Sequence, residues 1–252
     1  MEEKLAIAHR GQTLCAIHRV VRLAPASLVV MAHGGPGGDK RGPLGLFDVL
    51  AETLETSLGL SSLRFDFRGC GESDGTPLDM TVRSRADELA SVMSWARGHG
   101  YARTALVAES LGASVALLAE RPEVDALVLL WPAVCLARTD LAGYFAPEKE
   151  GEPAEKGFIV DGGIPVCAEF VRECRELDLV PALSRVHVPT LIVHGDEDRC
   201  VPVDQARRVH ELIPAVKNLV VVQGGGHSLG RPAERAIVLE NTIRWLGKHL
   251  SR

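Results

Sequence analysis

A chain of 252 residues with 46% hydrophobic and 24% charged residues can bury the core of one large α/β domain, and this composition argues against disorder and against two equal domains. The net charge of −5 gives no electrostatic case for a nucleic-acid partner. The longest uncharged apolar run, Ala126 to Ala137, is broken by Pro132 and falls short of the roughly 20 residues that cross a bilayer, so no membrane partner is expected.

The opening Met1-Glu2-Glu3-Lys4-Leu5-Ala6 is acidic where a secretory leader is basic, which makes a cytoplasmic protein the expectation. Strands are predicted over Lys4 to His9 and Cys15 to Val21. The link around Arg10-Gly11-Gln12 is too short for a crossover helix, so these two are expected to form an antiparallel hairpin. A third strand, Leu28 to Ala32, runs into the glycine-rich stretch 33–38, and a helix-period segment follows over Leu46 to Leu58.

The fourth strand is placed at Leu63 to Phe67. In the helix Val82 to Ala96, apolar residues recur at three and four with Arg83, Arg85, Asp87 and Glu88 between them, so one face is expected to be buried. Thr104 to Ala108 is a strand that ends at Glu109-Ser110 and turns into a helix over Leu111 to Glu120; Ala126 to Trp131 is the next strand. Between Pro132 and Pro189 the alternation lapses. That stretch reads as a cap insertion over 134–188, with a small hairpin of Gly157 to Val160 and Ile164 to Cys167, a helix over Glu169 to Leu177, and a solvated acidic loop from Glu148 to Glu155.

Alternation resumes with Thr190 to His194, a helix over Val203 to Leu212, Asn218 to Val222, and a helix over Ala233 to His249 entered after Pro232. The predicted architecture is an eight-stranded, mostly parallel α/β sheet flanked by helices, with residues 1–133 and 189–252 as the core. Its ligand side should be the C-terminal edge of the strands. The six cysteines, Cys15, Cys70, Cys135, Cys167, Cys174 and Cys200, form no Cys-x-x-Cys pair, so reduced thiols and no metal site are expected.

Ser110 is the residue that most suggests chemistry. A serine on a sharp strand-to-helix turn brings the backbone two residues before and after it into close approach, and Ala108 and Gly112 are small enough for that. Were Glu109 the turn residue, Val107 and Leu111 would stand at the crowded positions. A serine hydroxyl needs a histidine base and a carboxylate that orients it. Asp196, Glu197 and Asp198 follow one strand as adjacent candidates for the acid, and His227 follows the last strand after Gly224-Gly225-Gly226. The glycines 34–38 lack the glycine-lysine-serine ending of a phosphate loop, so a nucleotide role is set aside.

Four motifs stand in order: His33-Gly34-Gly35-Pro36-Gly37-Gly38, the stretch Phe65-Asp66-Phe67-Arg68-Gly69-Cys70-Gly71-Glu72-Ser73-Asp74-Gly75, the serine turn, and the paired acid and histidine loops. Together they resemble serine hydrolases of the α/β-hydrolase fold, most closely the compact capped carboxylesterases that include feruloyl and cinnamoyl esterases. The resemblance covers nearly the whole chain. It implies Ser110 as nucleophile, Asp198 as acid, His227 as base, the backbone N–H groups of Gly35 and Leu111 as the oxyanion hole, and no cofactor. Gly34, Trp131 and Phe158 are candidates for contact with substrate.

The chain departs from that family pattern at Ala108, where glycine is commonest, at Cys70, often histidine and expected here to pack, and at Glu109, often histidine or another polar residue. A carboxylate buried beside the nucleophile would disfavour the developing oxyanion unless it is paired or points away. His33 is expected to brace the glycine loop, His194 to be structural, Asp196 to cap its own turn, and Asp66 and Arg68 to pair or hydrogen-bond locally and so shape the loop after the fourth strand. The leading expectation is cleavage of a small-molecule carboxylic ester through an acyl-enzyme. The alternatives are a thioesterase, an acyltransferase, an aminopeptidase similar to proline iminopeptidases, whose glycine motif it resembles, or a non-catalytic ligand-binding protein on the same fold.

Overall fold

The computed structural model describes residues 1–21, 27–119, 123–139, 155–161 and 163–250. Arg10 and Gly11, at φ 46° and 79°, supply the two left-handed positions of a tight hairpin turn. They join β1 (Glu2–His9) to β2 (Gln12–Arg19) in the antiparallel register His9 opposite Gln12. β2 continues antiparallel onto β4 (Ser61–Phe65). From there β3 (Ser27–Ala32), β5 (Arg103–Glu109), β6 (Ala126–Leu130), β9 (Thr190–Gly195) and β10 (Lys217–Val222) extend the sheet with parallel pairing throughout. The result is the expected eight-stranded, mostly parallel sheet, and its strand order is β1-β2-β4-β3-β5-β6-β9-β10.

The central strands read as continuous apolar runs because both faces are covered. Leu28, Val30 and Ala32 of β3 with Leu106 and Ala108 of β5 face one core, which is filled from α2 (Val82–Gly98), α3 (Leu111–Leu118) and α6 (Val203–Leu212). Val29, Met31, Ala105 and Val107 face the other, filled from α1 (Leu46–Leu58) and α7 (Pro232–Leu250). The period of two within each strand therefore sorts side chains between two helical layers. The helix expected to reach Glu120 ends at Leu118, and Glu120 lies outside the described residues.

Two differences from the sequence pattern have local causes. The fourth strand runs from Ser61 to Phe65, two residues earlier than its apolar run, since the Phe67 N–H leaves the ladder to donate to the His33 ring at 3.2 Å. Arg85 and Glu88 on α2, placed between the apolar positions, are buried. Glu88 accepts from the Arg68 guanidinium at 2.8 Å and from the Arg68 N–H, so Arg68 and Asp66 shape their loop with separate partners. Asp66 takes the backbone N–H and ammonium of Lys40, both at 2.6 Å, and the N–H of Glu72.

Between β6 and β9, neighbours in the sheet, the chain forms a ribbon of β7 (Phe158–Asp161) and β8 (Ile164–Cys167), then α4 (Ala168–Glu176) and α5 (Val180–Leu183). Glu173 of α4 accepts from the N–H groups of Val82 and Arg83, which fastens this segment to the open N-terminus of α2. Most of the acidic loop from Glu148 falls outside the described residues. Among the described residues no disulfide joins two cysteines, and no helix is long and apolar enough to cross a membrane.

The strand order places the first crossover, β3 to α1 to β4, on one side of β3, and β5 on the other. Where successive crossovers diverge, the loops beyond the strand ends splay apart and leave a crevice. Gly34 and Ser110 leave the sheet at that point.

Candidate active site

Ser110 follows β5 with φ 51° and ψ −119°, a conformation that costs a non-glycine residue of order 1–3 kcal/mol and persists only where the surroundings enforce it. Its N–H is held by Leu130 O at 2.9 Å, and its own carbonyl accepts from Ala113 as α3 begins. The expected crowding is present. A Cβ on Gly112 would stand 2.6 Å from Ala32 O, and Ala108 is wholly buried. Leu111 occupies the first helical position, so its N–H has no intrahelical carbonyl to bind.

The acid and histidine loops meet across the ends of β9 and β10. His227 Nδ1 donates to Asp198 Oδ2 at 2.8 Å. The other carboxylate oxygen, Oδ1, accepts the N–H groups of Cys200 and Val201 at 2.8 and 2.9 Å. Burial pushes the Asp198 carboxyl up, but the hydrogen bonds from His194 and His227 outweigh it and hold it well below the usual carboxylate range. Of the three adjacent acids, only Asp198 faces His227. Asp196 instead accepts the Gly224 N–H at 2.7 Å, which ties the two loops together where the sequence suggested a cap of its own turn. His194 is buried and bonds Val201 O through Nε2 at 2.8 Å, a structural position. Among the described residues the Ser110 hydroxyl has no hydrogen-bond partner, so the structure brings Asp198 and His227 together and leaves the serine on the same cavity wall without a closed contact to the ring.

The glycine loop is held from within. His33 is wholly buried, its Nε2 accepts from Phe67 N–H, and Nδ1 donates to Gly34 O at 3.0 Å. Burial, reinforced by the nearby Arg85 charge, pushes this imidazole down to about 3. The unfolded chain therefore binds a proton below about 6.5 that the folded chain refuses until about 3. Stability from His33 is full above that upper value and falls with pH, by about 2 kcal/mol at pH 5. Urea unfolding at pH 7 and pH 5 checks this; equal free energies at the two would contradict a neutral His33.

Glu109 answers the concern raised by its position. Its carboxylate is tied on both oxygens: Oε1 accepts the Gly34 N–H at 2.5 Å and Oε2 accepts Trp131 Nε1–H at 2.9 Å. Burial pushes the Glu109 carboxyl up, opposed by these two donors. A Cβ on Gly34 would stand 2.8 Å from Glu109 Oε1, so only glycine fits there.

A cavity of about 570 Å³ opens over the strand ends, lined by Gly34, Gly35, Ser110, Leu111, Ile164 and His227 among others. Gly35 lines this cavity at φ 27°, and a Cβ placed on it would meet nothing within 4 Å. Two expected substrate contacts fall elsewhere. Trp131 is wholly buried with its indole committed to Glu109, and it supports the wall from behind. Phe158 lies on β7 away from the lining, where Ile164 of the paired strand takes the inward place. Pairing period alone would have put either residue of that ribbon forward, so Ile164 was legible only as one of several apolar candidates.

Among the described residues two clusters carry metal-type donors. In Asp198, Cys200 and His227 the donors lie within 4.8 Å of one another, yet the Asp198 oxygens already serve four hydrogen-bond donors. In Cys15, Asp66 and Glu72 the Lys40 ammonium sits 2.6 Å from both carboxylates and supplies the positive charge.

Residues 29–237 match the model of the family described as the alpha/beta hydrolase family. An uncharacterized protein of Mycobacterium tuberculosis is 31% identical over 194 residues, 75% of this chain and 60% of that protein, so the chain spans about three fifths of that relative's length. The mitochondrial palmitoyl-protein thioesterase ABHD10 of Mus musculus is 27% identical over 202 residues, 75% of this chain and 66% of the relative. Among solved structures, Est1E of Butyrivibrio proteoclasticus with bound ferulic acid superposes with a TM-score of 0.84 at 23% identity, covering 98% of this chain and 100% of that one.

Proposed function

The chain belongs to the alpha/beta hydrolase family, and on that premise we propose that it cleaves a small carboxylic ester through an acyl-enzyme. The observation that carries the reading is the 2.8 Å bond from His227 Nδ1 to Asp198, with Ser110 strained outward on the same cavity. That bond fixes the hydrogen on Nδ1 and leaves Nε2 as the base. Ser110 Oγ attacks the carbonyl carbon while His227 Nε2 takes its proton, and the carbonyl oxygen gains negative charge facing the N–H groups of Gly35 and Leu111. His227 then protonates the departing alcohol, and water releases the acid by the same steps in reverse order. Apo serine hydrolases commonly tighten the serine–histidine contact only once substrate is bound.

A thioester is the second reading, supported by the named activity of the Mus musculus relative. Both follow one chemistry and differ in the leaving group. A panel of nitrophenyl esters of rising acyl length, the matching acyl thioesters and prolyl amides is expected to show ester turnover highest. A preference for the amides, or binding without turnover of any member, would overturn the proposal.

A further inference from the structure

Arg85 on α2 is wholly buried, and among the described residues no carboxylate bonds to it. A guanidinium removed from water without a paired anion is costly, so its surroundings must depend on it for something. Its bonded donors are the two Nη groups, while Nε has no hydrogen-bond partner among the described residues. Nη1 donates to Gly34 O at 3.1 Å, and Nη2 donates to Gly35 O at 3.1 Å and to Cys70 Sγ at 3.2 Å. The guanidinium carbon stands 4.9 Å from the centre of the Phe67 ring, whose face favours a cation. On the other side of the loop, the Gly34 N–H is held by Glu109. The loop is thus clamped with a cation on its carbonyls and an anion on its amide.

We propose that Arg85 is a positioning residue for the oxyanion loop: bonded to the Gly34 and Gly35 carbonyls, it holds the Gly34–Gly35 peptide in one orientation and polarises it, so that the Gly35 N–H at its other end becomes a stronger donor toward the cavity. This rests on the serine-esterase reading above. The Gly34 carbonyl and the Gly35 N–H belong to one peptide unit, and a charged donor on the oxygen withdraws electron density from the nitrogen. The same oxygen also accepts from His33 Nδ1. The effect matters most when the substrate oxygen carries negative charge, which is in the transition state rather than in the bound ester.

The test uses Arg85→Met, which keeps volume and removes the charge, and Arg85→Lys, which keeps the charge but loses the two-carbonyl fork. Active sites are first counted with a fluorophosphonate probe, so that rates are expressed per competent serine. Arg85→Met is expected to lower kcat about 10- to 100-fold, less than loss of a direct oxyanion donor, with KM nearly unchanged. Affinity for a trifluoromethyl ketone, which forms a charged tetrahedral adduct, should fall by the same factor, while affinity for the matching methyl ketone should not. Arg85→Lys should lie between wild type and Arg85→Met, and it carries the test alone if the methionine variant does not fold. Wild-type kcat and ketone affinity in the variants, or a raised KM at constant kcat, would overturn the proposal with the esterase reading intact. A wild type that the probe does not label would overturn both.

Discussion

Ser110→Ala is expected to lower kcat on a nitrophenyl ester by about 10⁶-fold, leaving only the residual rate that binding and oxyanion donors provide. The same variant should take up no fluorophosphonate, which intact mass spectrometry reads directly. Its stability should be close to that of the wild type. The Ser110 side chain has no hydrogen bond to lose among the described residues, and alanine inherits the same strained φ of 51°. A lost activity accompanied by an unchanged melting temperature is therefore the signature of a removed nucleophile. Labelling of the alanine variant at the wild-type rate would place the nucleophile elsewhere.

Asp198→Asn carries the second large effect, a fall in kcat of about 10⁴-fold. The carboxylate accepts from Cys200 N–H, Val201 N–H and His227 Nδ1–H, all at 2.8 to 2.9 Å. An asparagine has one acceptor oxygen to offer where two are used. If that oxygen serves the two backbone donors, its NH₂ group faces His227 Nδ1 and obliges that nitrogen to accept. The proton then moves to Nε2, and the ring can no longer take one from Ser110. The pH profile separates this from simple unfolding. Because the wild-type Asp198 is held well below the usual carboxylate range, it remains charged across the working range and should add no acid limb to kcat above pH 4. Its contribution to stability is present above the unfolded value of about 3.9 and is lost as pH falls below that. A kcat for Asp198→Asn within tenfold of wild type would show that His227 is oriented by another group.

Much of the frame was legible because it rests on local rules. Period-two apolar runs such as Val29 to Met31, which split between the two cores, mark strands covered on both faces. The small residues at 108 and 112 mark a turn that only a tight backbone approach requires, and the Cβ that Gly112 lacks would indeed meet Ala32 O. Glycine at 11 marks the hairpin. What failed were assignments that treated one element as if it stood alone. Arg85 falls between apolar positions of α2 and so reads as a solvated charge, but this part of the helix lies under the glycine loop, and the guanidinium turns inward to the carbonyls there. Trp131 reads as a pocket wall because it ends a strand at the ligand edge. Its φ of 36° and its bond to Glu109 turn the indole into the protein instead.

By itself the sequence determined the sheet, the strained serine turn and the positions just beyond strand ends where an acid and a histidine stand, because spacing and side-chain size act over a few residues. Spacing alone left Asp196, Glu197 and Asp198 open and the family resemblance favoured Asp198; the tertiary structure brings Asp198 to His227, and it alone decided what Glu109 and Arg85 do. Those outcomes depend on loops from β3, β5, β6, β9 and β10 arriving at one edge, where donors far apart in the chain compete for the same few acceptors. Hydrogen-bond partners are settled by that competition in three dimensions, and a linear pattern carries no record of it.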